Sequence, residues 1–134
     1  MSGLVLKLAP KERVLINGAV IENGDRRTRV AILTPNANIL RLKDALHPED
    51  AKTPVRRVCY LAQLILSGDA DPEEGRGQLL SGIEQLSQVL LDSDSRKTLE
   101  DATDAALAER YYQAMKALRL LIPREDRLLG AEQA

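Results

Sequence analysis

The sequence predicts an α+β protein in which a small N-terminal antiparallel β-sheet of four to five short strands precedes a bundle of about four helices. Within the first 45 of its 134 residues, apolar and polar side chains alternate between tight-turn sequences, which is typical of half-buried strands. Residues 54–130 repeat their apolar side chains at helical spacing behind capping sequences. We therefore expect a β-rich part (1–45), a polar connector (46–53) and a helical part (54–130) that form one compact unit.

Alternation and turn residues locate the strands. The strongest signal is Asn17-Gly18 between two apolar runs, because both residues tolerate the positive φ of a hairpin turn. Leu4, Leu6 and Leu8 share one face of the first strand. The strands are predicted at residues 4–8, 13–16, 19–22, 27–32 and 39–43. We expect them to form an antiparallel meander or a small open barrel.

Capping sequences locate the helices. Thr53-Pro54 and Asp71-Pro72 each combine a capping side chain with a proline at the first helical position, and residues 92–95 supply a third cap. The first helix is apolar on most sides, so we expect it to be buried. Glu109-Arg110 predicts a break between two helices of a hairpin, and Pro123 is expected to end the last helix, with at most one further turn after it.

The residue inventory excludes several kinds of site. The chain has one cysteine, Cys59, and one histidine, His47, which excludes an internal disulfide and metal sites built on several thiolates or imidazoles. We expect Cys59 to be a core residue and His47 to lie in a turn. Because the sequence shows neither a phosphate-binding loop nor a nucleophile beside a base, we expect no enzyme activity, no cofactor and no metal.

Hydropathy argues against a membrane protein. The longest apolar stretch, residues 58–66, already contains Gln63 and is far too short to cross a bilayer. No charged segment precedes a long apolar block after Met1, so we expect no secretory signal. The expected location is the cytoplasm.

The net charge of −1 conceals a separation of charge along the chain. Residues 1–60 contain eleven basic and six acidic residues, whereas residues 61–134 contain eight and fourteen. Arg27, Arg29, Arg41 and Lys43 occupy alternate strand positions, so neighbouring strands would line one side of the sheet with four cations. Such cations suit phosphate contacts. A solvated strand face that binds nothing is the alternative, and the pattern alone leaves it open.

Five segments carry a resemblance to a known family. They are residues 17–27 (NGAVIENGDRR), 39–41 (ILR), 46–51 (LHPEDA), 53–60 (TPVRRVCY) and 109–119 (ERYYQAMKALR). Together they resemble the FlbT family of flagellum biosynthesis repressors over nearly the whole chain. The chain departs from the family at residues 59–62, where members often carry an aromatic-rich helix. We carry no catalytic residues over from the family.

The resemblance implies a post-transcriptional regulator that binds the 5′ untranslated region of flagellin mRNA and promotes its degradation or blocks its translation. It also implies a companion flagellar regulator, FlaF, as partner, and family members can act positively as well as negatively. The alternative is a protein-interaction adaptor for flagellin or a flagellar chaperone, without RNA contact. A small sheet with exposed edges and an aliphatic core further favours a homodimer.

Two sets of residues are candidates for these contacts. For RNA, we select the cations of the N-terminal part and of the first helix: Lys7, Lys11, Arg13, Arg26, Arg27, Arg29, Arg41, Lys43, Arg56 and Arg57. For a protein partner, we select four residues of the last predicted helix: Tyr111, Tyr112, Met115 and Leu118. Core packing within the chain is the competing role for this second set.

Overall fold

Five β-strands and five α-helices follow one another in the computed structural model, which describes residues 4–133 and the side chains of residues 4–130. Residues 1–3 of the predicted β-rich part lie outside this range. The strands are β1 (Leu4–Leu8), β2 (Arg13–Ile16), β3 (Ala19–Glu22), β4 (Thr28–Ile32) and β5 (Ile39–Arg41). The helices are α1 (Pro54–Ser67), α2 (Pro72–Ser87), α3 (Ser93–Leu107), α4 (Tyr111–Arg119) and α5 (Ile122–Gln133). The predicted α+β class is confirmed.

The first four strands form one long hairpin that bends in the middle. β2 pairs with β3 around the Asn17-Gly18 turn, and β1 pairs with β4 farther from the turn. The hairpin bends at residues 9–12, between β1 and β2, and at residues 23–27, between β3 and β4. These two segments form the corner of the hairpin, and the second is one residue longer than the first. β5 pairs with β2, which yields a two-stranded sheet β1-β4 and a three-stranded sheet β3-β2-β5. The predicted meander is therefore wrong.

One asparagine side chain holds the corner of the hairpin. The Nδ2 of Asn23 donates to the carbonyls of Ala9 (2.8 Å) and Arg26 (2.9 Å), and its Oδ1 accepts from the Thr28 hydroxyl at 2.8 Å. Lys11 on the opposite arm adopts a φ of 61°, a left-handed conformation that turns the chain sharply. These contacts direct β4 back to β1 and leave the open side of β2 for β5.

The tip of the hairpin matches the prediction and also positions β5. Asn17 and Gly18 have φ angles of 48° and 87°, as a turn with two positive φ angles requires. The Oδ1 of Asn17 accepts from the Asn38 N–H at 2.9 Å, which ties the turn to the start of β5. β5 then ends at Arg41, because Leu42–Asp44 forms a 3₁₀ turn. Lys43 therefore does not project from a strand, contrary to the prediction.

The predicted caps begin the first three helices. The side-chain oxygens of Thr53, Asp71 and Asp92 accept from backbone N–H groups in the first turn at 3.4, 3.0 and 3.0 Å. Pro123 does not end the helical part as predicted. It lies in the first turn of α5, where its missing N–H costs no hydrogen bond, and this accounts for five helices rather than four.

The core has two parts that meet at one tyrosine. The larger part lies among α1–α4 and includes Cys59, whose thiol pKa burial raises to about 12. The smaller part lies under the sheet around Leu6, Leu8 and Val14. Tyr112 packs against both parts, so the sheet and the helices share this side chain.

Candidate nucleic-acid interface

The exposed face of the β1-β4 sheet presents two cations directly opposite each other. Lys7 on β1 pairs in register with Arg29 on β4, while Leu6 and Leu8 point to the buried face. Neither cation forms an ion pair within residues 4–133. Like charges directly opposite each other destabilise a strand pair, so the arrangement favours an anion that contacts both.

Two further cations flank this pair. Arg26 and Arg27 are exposed at the corner, immediately before β4 begins at Thr28, and the described residues offer neither of them a carboxylate partner. We call Lys7, Arg26, Arg27 and Arg29 the basic face. It carries four positive charges that no described acidic side chain neutralises by direct contact.

Arg41 is a structural brace, and its charge is already compensated. Its Nε donates to Glu12 Oε2 at 2.6 Å, and its Nη2 donates to Glu12 Oε1 at 2.8 Å and to the Lys7 carbonyl at 2.6 Å. The Arg41 side chain is only 14% exposed. This guanidinium holds the pKa of the Glu12 carboxyl at about 2, well below its ordinary value, despite the opposing effect of burial. Arg41 thus links β5, the corner and β1.

The ion pair between Arg41 and Glu12 shows that the predicted arrangement, with four cations on one side of a single sheet, is wrong. Arg29 belongs to β4 and Arg27 lies before that strand, not in it as predicted, whereas Arg41 belongs to the other sheet and points inward to Glu12. Lys43 follows β5 in a 3₁₀ turn. Alternation along each strand was visible in the sequence, but the pairing that separates β4 from β5 was not.

Three more of the candidate cations form ion pairs. Lys11 contacts Asp25 at 2.9 Å and Arg13 contacts Glu22 at 2.9 Å, both on the surface. Arg56 makes a bidentate contact with the Asp126 carboxylate: its Nη1 donates to Oδ1 at 2.7 Å and its Nη2 donates to Oδ2 at 3.1 Å. Arg57 is exposed and forms no ion pair in the described part of the chain.

Sequence reasoning missed the buried carboxylate beside Arg56. Glu125 in the first turn of α5 is 5% exposed, and its Oε2 accepts from the Val55 N–H at 2.7 Å. It thereby satisfies a donor at the start of α1 that no helical carbonyl can reach. Arg56, with Glu125 and Asp126, therefore fastens α5 to α1, and its role is structural.

The four residues predicted to contact a protein partner do not form an accessible surface. Tyr111, Met115 and Leu118 are buried in the helical core, and only Tyr112 is partly exposed. Their helical stripe faces α1 and α3, so core packing is the role that the geometry supports. The expected docking surface is wrong for the three buried residues.

A pocket opens where the end of β5 meets α4. Its volume is about 190 Å³, and its lining includes Lys43, Tyr112, Lys116 and Arg119. We call it the junction pocket. Sequence reasoning missed Lys116 and Arg119, although Tyr112, Lys116 and Arg119 follow one another at the spacing of a single helix face.

Within the described residues, no cluster of histidine, cysteine, aspartate or glutamate side chains could hold a metal ion. His47 caps a 3₁₀ turn, where its Nδ1 accepts from the Glu49 N–H at 3.2 Å. None of the described helices combines the length and the apolar character needed to cross a membrane.

Comparison with known proteins identifies relatives along nearly the whole chain. The family described as "Flagellar protein FlbT" matches residues 4–129. A Rhodopseudomonas palustris protein named "Probable flagellum biosynthesis repressor protein FlbT" is 36% identical over 127 residues, which cover 95% of this chain and 98% of the relative. A Bradyrhizobium diazoefficiens protein, "Probable flagellum biosynthesis repressor protein FlbT 1", is 34% identical over 98% of this chain and 88% of its own length. The Caulobacter sp. K31 relative is 32% identical over 95% and 96%. No solved structure matches the chain.

Proposed function

Because the chain belongs to the FlbT family of flagellar proteins, we propose that it regulates flagellin synthesis after transcription. In this proposal the protein binds the 5′ untranslated region of flagellin mRNA and promotes its degradation or blocks its translation, without enzyme activity of its own. The relatives that match the chain over most of its length are named flagellum biosynthesis repressors, which supports the regulatory role.

The observation that carries RNA binding is the cross-strand pair of Lys7 and Arg29. A phosphate between the two side chains would convert a repulsive pair into two charge-assisted contacts. Arg26 and Arg27 extend the same charge toward the corner, so a second phosphate can follow the first along the backbone. Contacts of this kind position a nucleic acid without reading its sequence.

Charge also separates the proposed tasks of the two halves. The six-charge excess of acid in residues 61–134 would repel a phosphate backbone over most of this half, so its surface other than the part of α4 beside β5 would face a protein partner. The companion regulator FlaF is the proposed partner on this side, and the cytoplasm is the proposed location. The basic face would remain available to the transcript.

A direct binding assay tests the proposal. We expect Lys7→Gln with Arg29→Gln to weaken binding of a fluorescein-labelled flagellin leader transcript by about tenfold, because both side-chain contacts to the shared phosphate are lost. The matched control is Arg96→Gln with Lys97→Gln, which removes the same charge from an exposed part of α3. Equal affinity of the two double variants, with both folded by circular dichroism, would contradict the proposal.

A second candidate function rests on a separate observation. β3 is an edge strand, and its Val20 and Ile21 are 62% and 44% exposed. An edge of this kind can pair with a strand of another chain, which would suit an adaptor for flagellin or a flagellar chaperone, or a homodimer. We expect Val20→Lys to abolish such pairing but to leave leader binding intact. Light scattering across a concentration series that shows a strict monomer for the unaltered protein would contradict the homodimer.

A further inference from the structure

The junction pocket combines an apolar floor, an aromatic ring and two lysines. Leu40 of β5 and Met115 of α4 are buried at its base. The half-buried ring of Tyr112 forms part of the wall, and Lys43 and Lys116 are exposed at the rim. A site for a bare anion needs only charge and donors, whereas this lining offers an apolar surface as well.

Only part of the positive charge around the pocket is neutralised within the protein. Arg41 is paired with Glu12, and Arg119 contacts Asp44 both at the carboxylate (3.5 Å) and at the carbonyl (3.0 Å). Lys43 and Lys116 form no ion pair within residues 4–133. Two positive charges are therefore available to a ligand, one from the turn after β5 and one from α4.

The pocket lies next to the basic face. The Nη2 of Arg41, a lining residue, donates to the carbonyl of Lys7 at 2.6 Å. Arg41 therefore connects the pocket lining to the backbone of β1, the strand that carries Lys7. The adjacency joins a surface suited to the backbone of a nucleic acid with a cavity suited to one of its bases.

We propose that the junction pocket receives one unpaired nucleotide of the bound RNA, with its base against Tyr112 and its phosphate between Lys43 and Lys116. This inference rests on the proposed function and adds to it a preference for single-stranded RNA. A volume of about 190 Å³ is below the range of pockets that enclose drug-sized ligands, which suits a single base. Proteins that recognise single-stranded RNA stack its splayed bases on aromatic rings, and a base in a duplex cannot enter a pocket.

The test compares one transcript in two forms. Fluorescence anisotropy would measure binding of the labelled flagellin leader transcript alone and annealed to its complement. We expect Tyr112→Leu to weaken binding of the single strand by at least about fivefold and to leave binding of the duplex unchanged. Tyr60→Leu is the matched control, because Tyr60 is a partly exposed tyrosine of α1 that does not line this pocket.

A second variant guards against a packing defect, since Tyr112 also contacts both parts of the core. Lys43→Gln with Lys116→Gln changes only exposed side chains, and we expect it to reduce the preference for the single strand as Tyr112→Leu does. An unchanged preference in both pocket variants would overturn the pocket assignment while RNA binding stands. If the unaltered protein binds neither form, the proposed function itself fails. Equal affinity for adenosine monophosphate and for the transcript would also overturn the proposal, since the pocket would then be a mononucleotide site.

Discussion

Replacement of Glu12 by glutamine should destabilise the fold because it leaves Arg41 without its counter-charge. The Glu12 carboxylate accepts two hydrogen bonds from Arg41, at 2.6 and 2.8 Å, and one from the Ala9 N–H at 2.9 Å. Its pKa falls from 4.5 to about 2 in the folded protein, which corresponds to an upper value of about 3 kcal/mol. Breaking a fully buried ion pair costs about 3–5 kcal/mol, and the 14% exposure of Arg41 lowers that range. We therefore expect Glu12→Gln to reduce the free energy of unfolding by about 2–3 kcal/mol.

Urea denaturation followed by circular dichroism measures this change. Glu22→Gln is the matched control, because the Arg13–Glu22 ion pair lies on the same hairpin with both side chains well exposed, and its loss should cost less than about 1 kcal/mol. The combined variant Glu12→Gln with Arg41→Met should lose less than the sum of the two single changes, since neither charge is then left unpaired. Equal effects of Glu12→Gln and Glu22→Gln would refute the assignment of Arg41 as the brace of the sheets.

The same carboxylate predicts a pH dependence. Because its folded-state pKa of about 2 lies below 4.5, the unfolded chain takes up the proton first as the pH falls. The stabilisation is therefore complete above a pH of about 5 and is lost progressively down to about 2. We expect the Glu12→Gln variant to show a correspondingly smaller loss of stability over this interval.

Three further predictions concern the helices. Gly82→Ala would place a Cβ 2.9 Å from Val58 Cγ2, so α1 and α2 should separate slightly, at a cost in stability of about 1–3 kcal/mol. The Cβ of Gly77→Ala meets nothing within 4 Å, so this variant should be more stable by up to about 1 kcal/mol. Thermal unfolding of both variants measures the difference, and equal melting temperatures would contradict it. The thiol of Cys59, buried and with its pKa raised to about 12, should resist alkylation at neutral pH until the protein unfolds, which mass spectrometry detects; rapid labelling of the native protein would be inconsistent with its burial. Asp71→Ala removes the cap of α2 and should lower the free energy of unfolding in urea by about 1 kcal/mol, and an unchanged value would show that the cap contributes nothing.

Local signals in the sequence were sufficient for the elements themselves. Asn17-Gly18 predicted the hairpin turn because its φ angles depend on two residues alone, and Thr53-Pro54 and Asp71-Pro72 predicted helix starts because a cap acts within one turn. At Pro123, by contrast, the local signal is ambiguous, and the predicted helix end was wrong. Proline either ends a helix or begins one, and the deciding contact is the buried Glu125 at the distant Val55 N–H.

Long-range contacts account for what the sequence did not reveal. The corner at Asn23 determines which strands pair, and its side chain forms hydrogen bonds with carbonyl and hydroxyl groups on both arms. Alternation predicted the outward orientation of Arg29 but not its position opposite Lys7, which depends on the register of β1 and β4. The junction pocket could not be predicted, since it joins β5 to α4 across some seventy residues of chain.

The salt dependence of leader binding tests most directly whether the basic face contacts phosphates. The logarithm of the binding constant, plotted against the logarithm of the salt concentration, has a slope that reports the number of phosphates neutralised. For a single-stranded leader, we expect Lys7→Gln with Arg29→Gln to reduce the magnitude of this slope by about 0.7, since the two side chains share one phosphate, while Arg96→Gln with Lys97→Gln leaves it unchanged. Parallel lines for the unaltered protein and the Lys7 and Arg29 double variant would show that these residues contact no phosphate and would contradict RNA binding by this face.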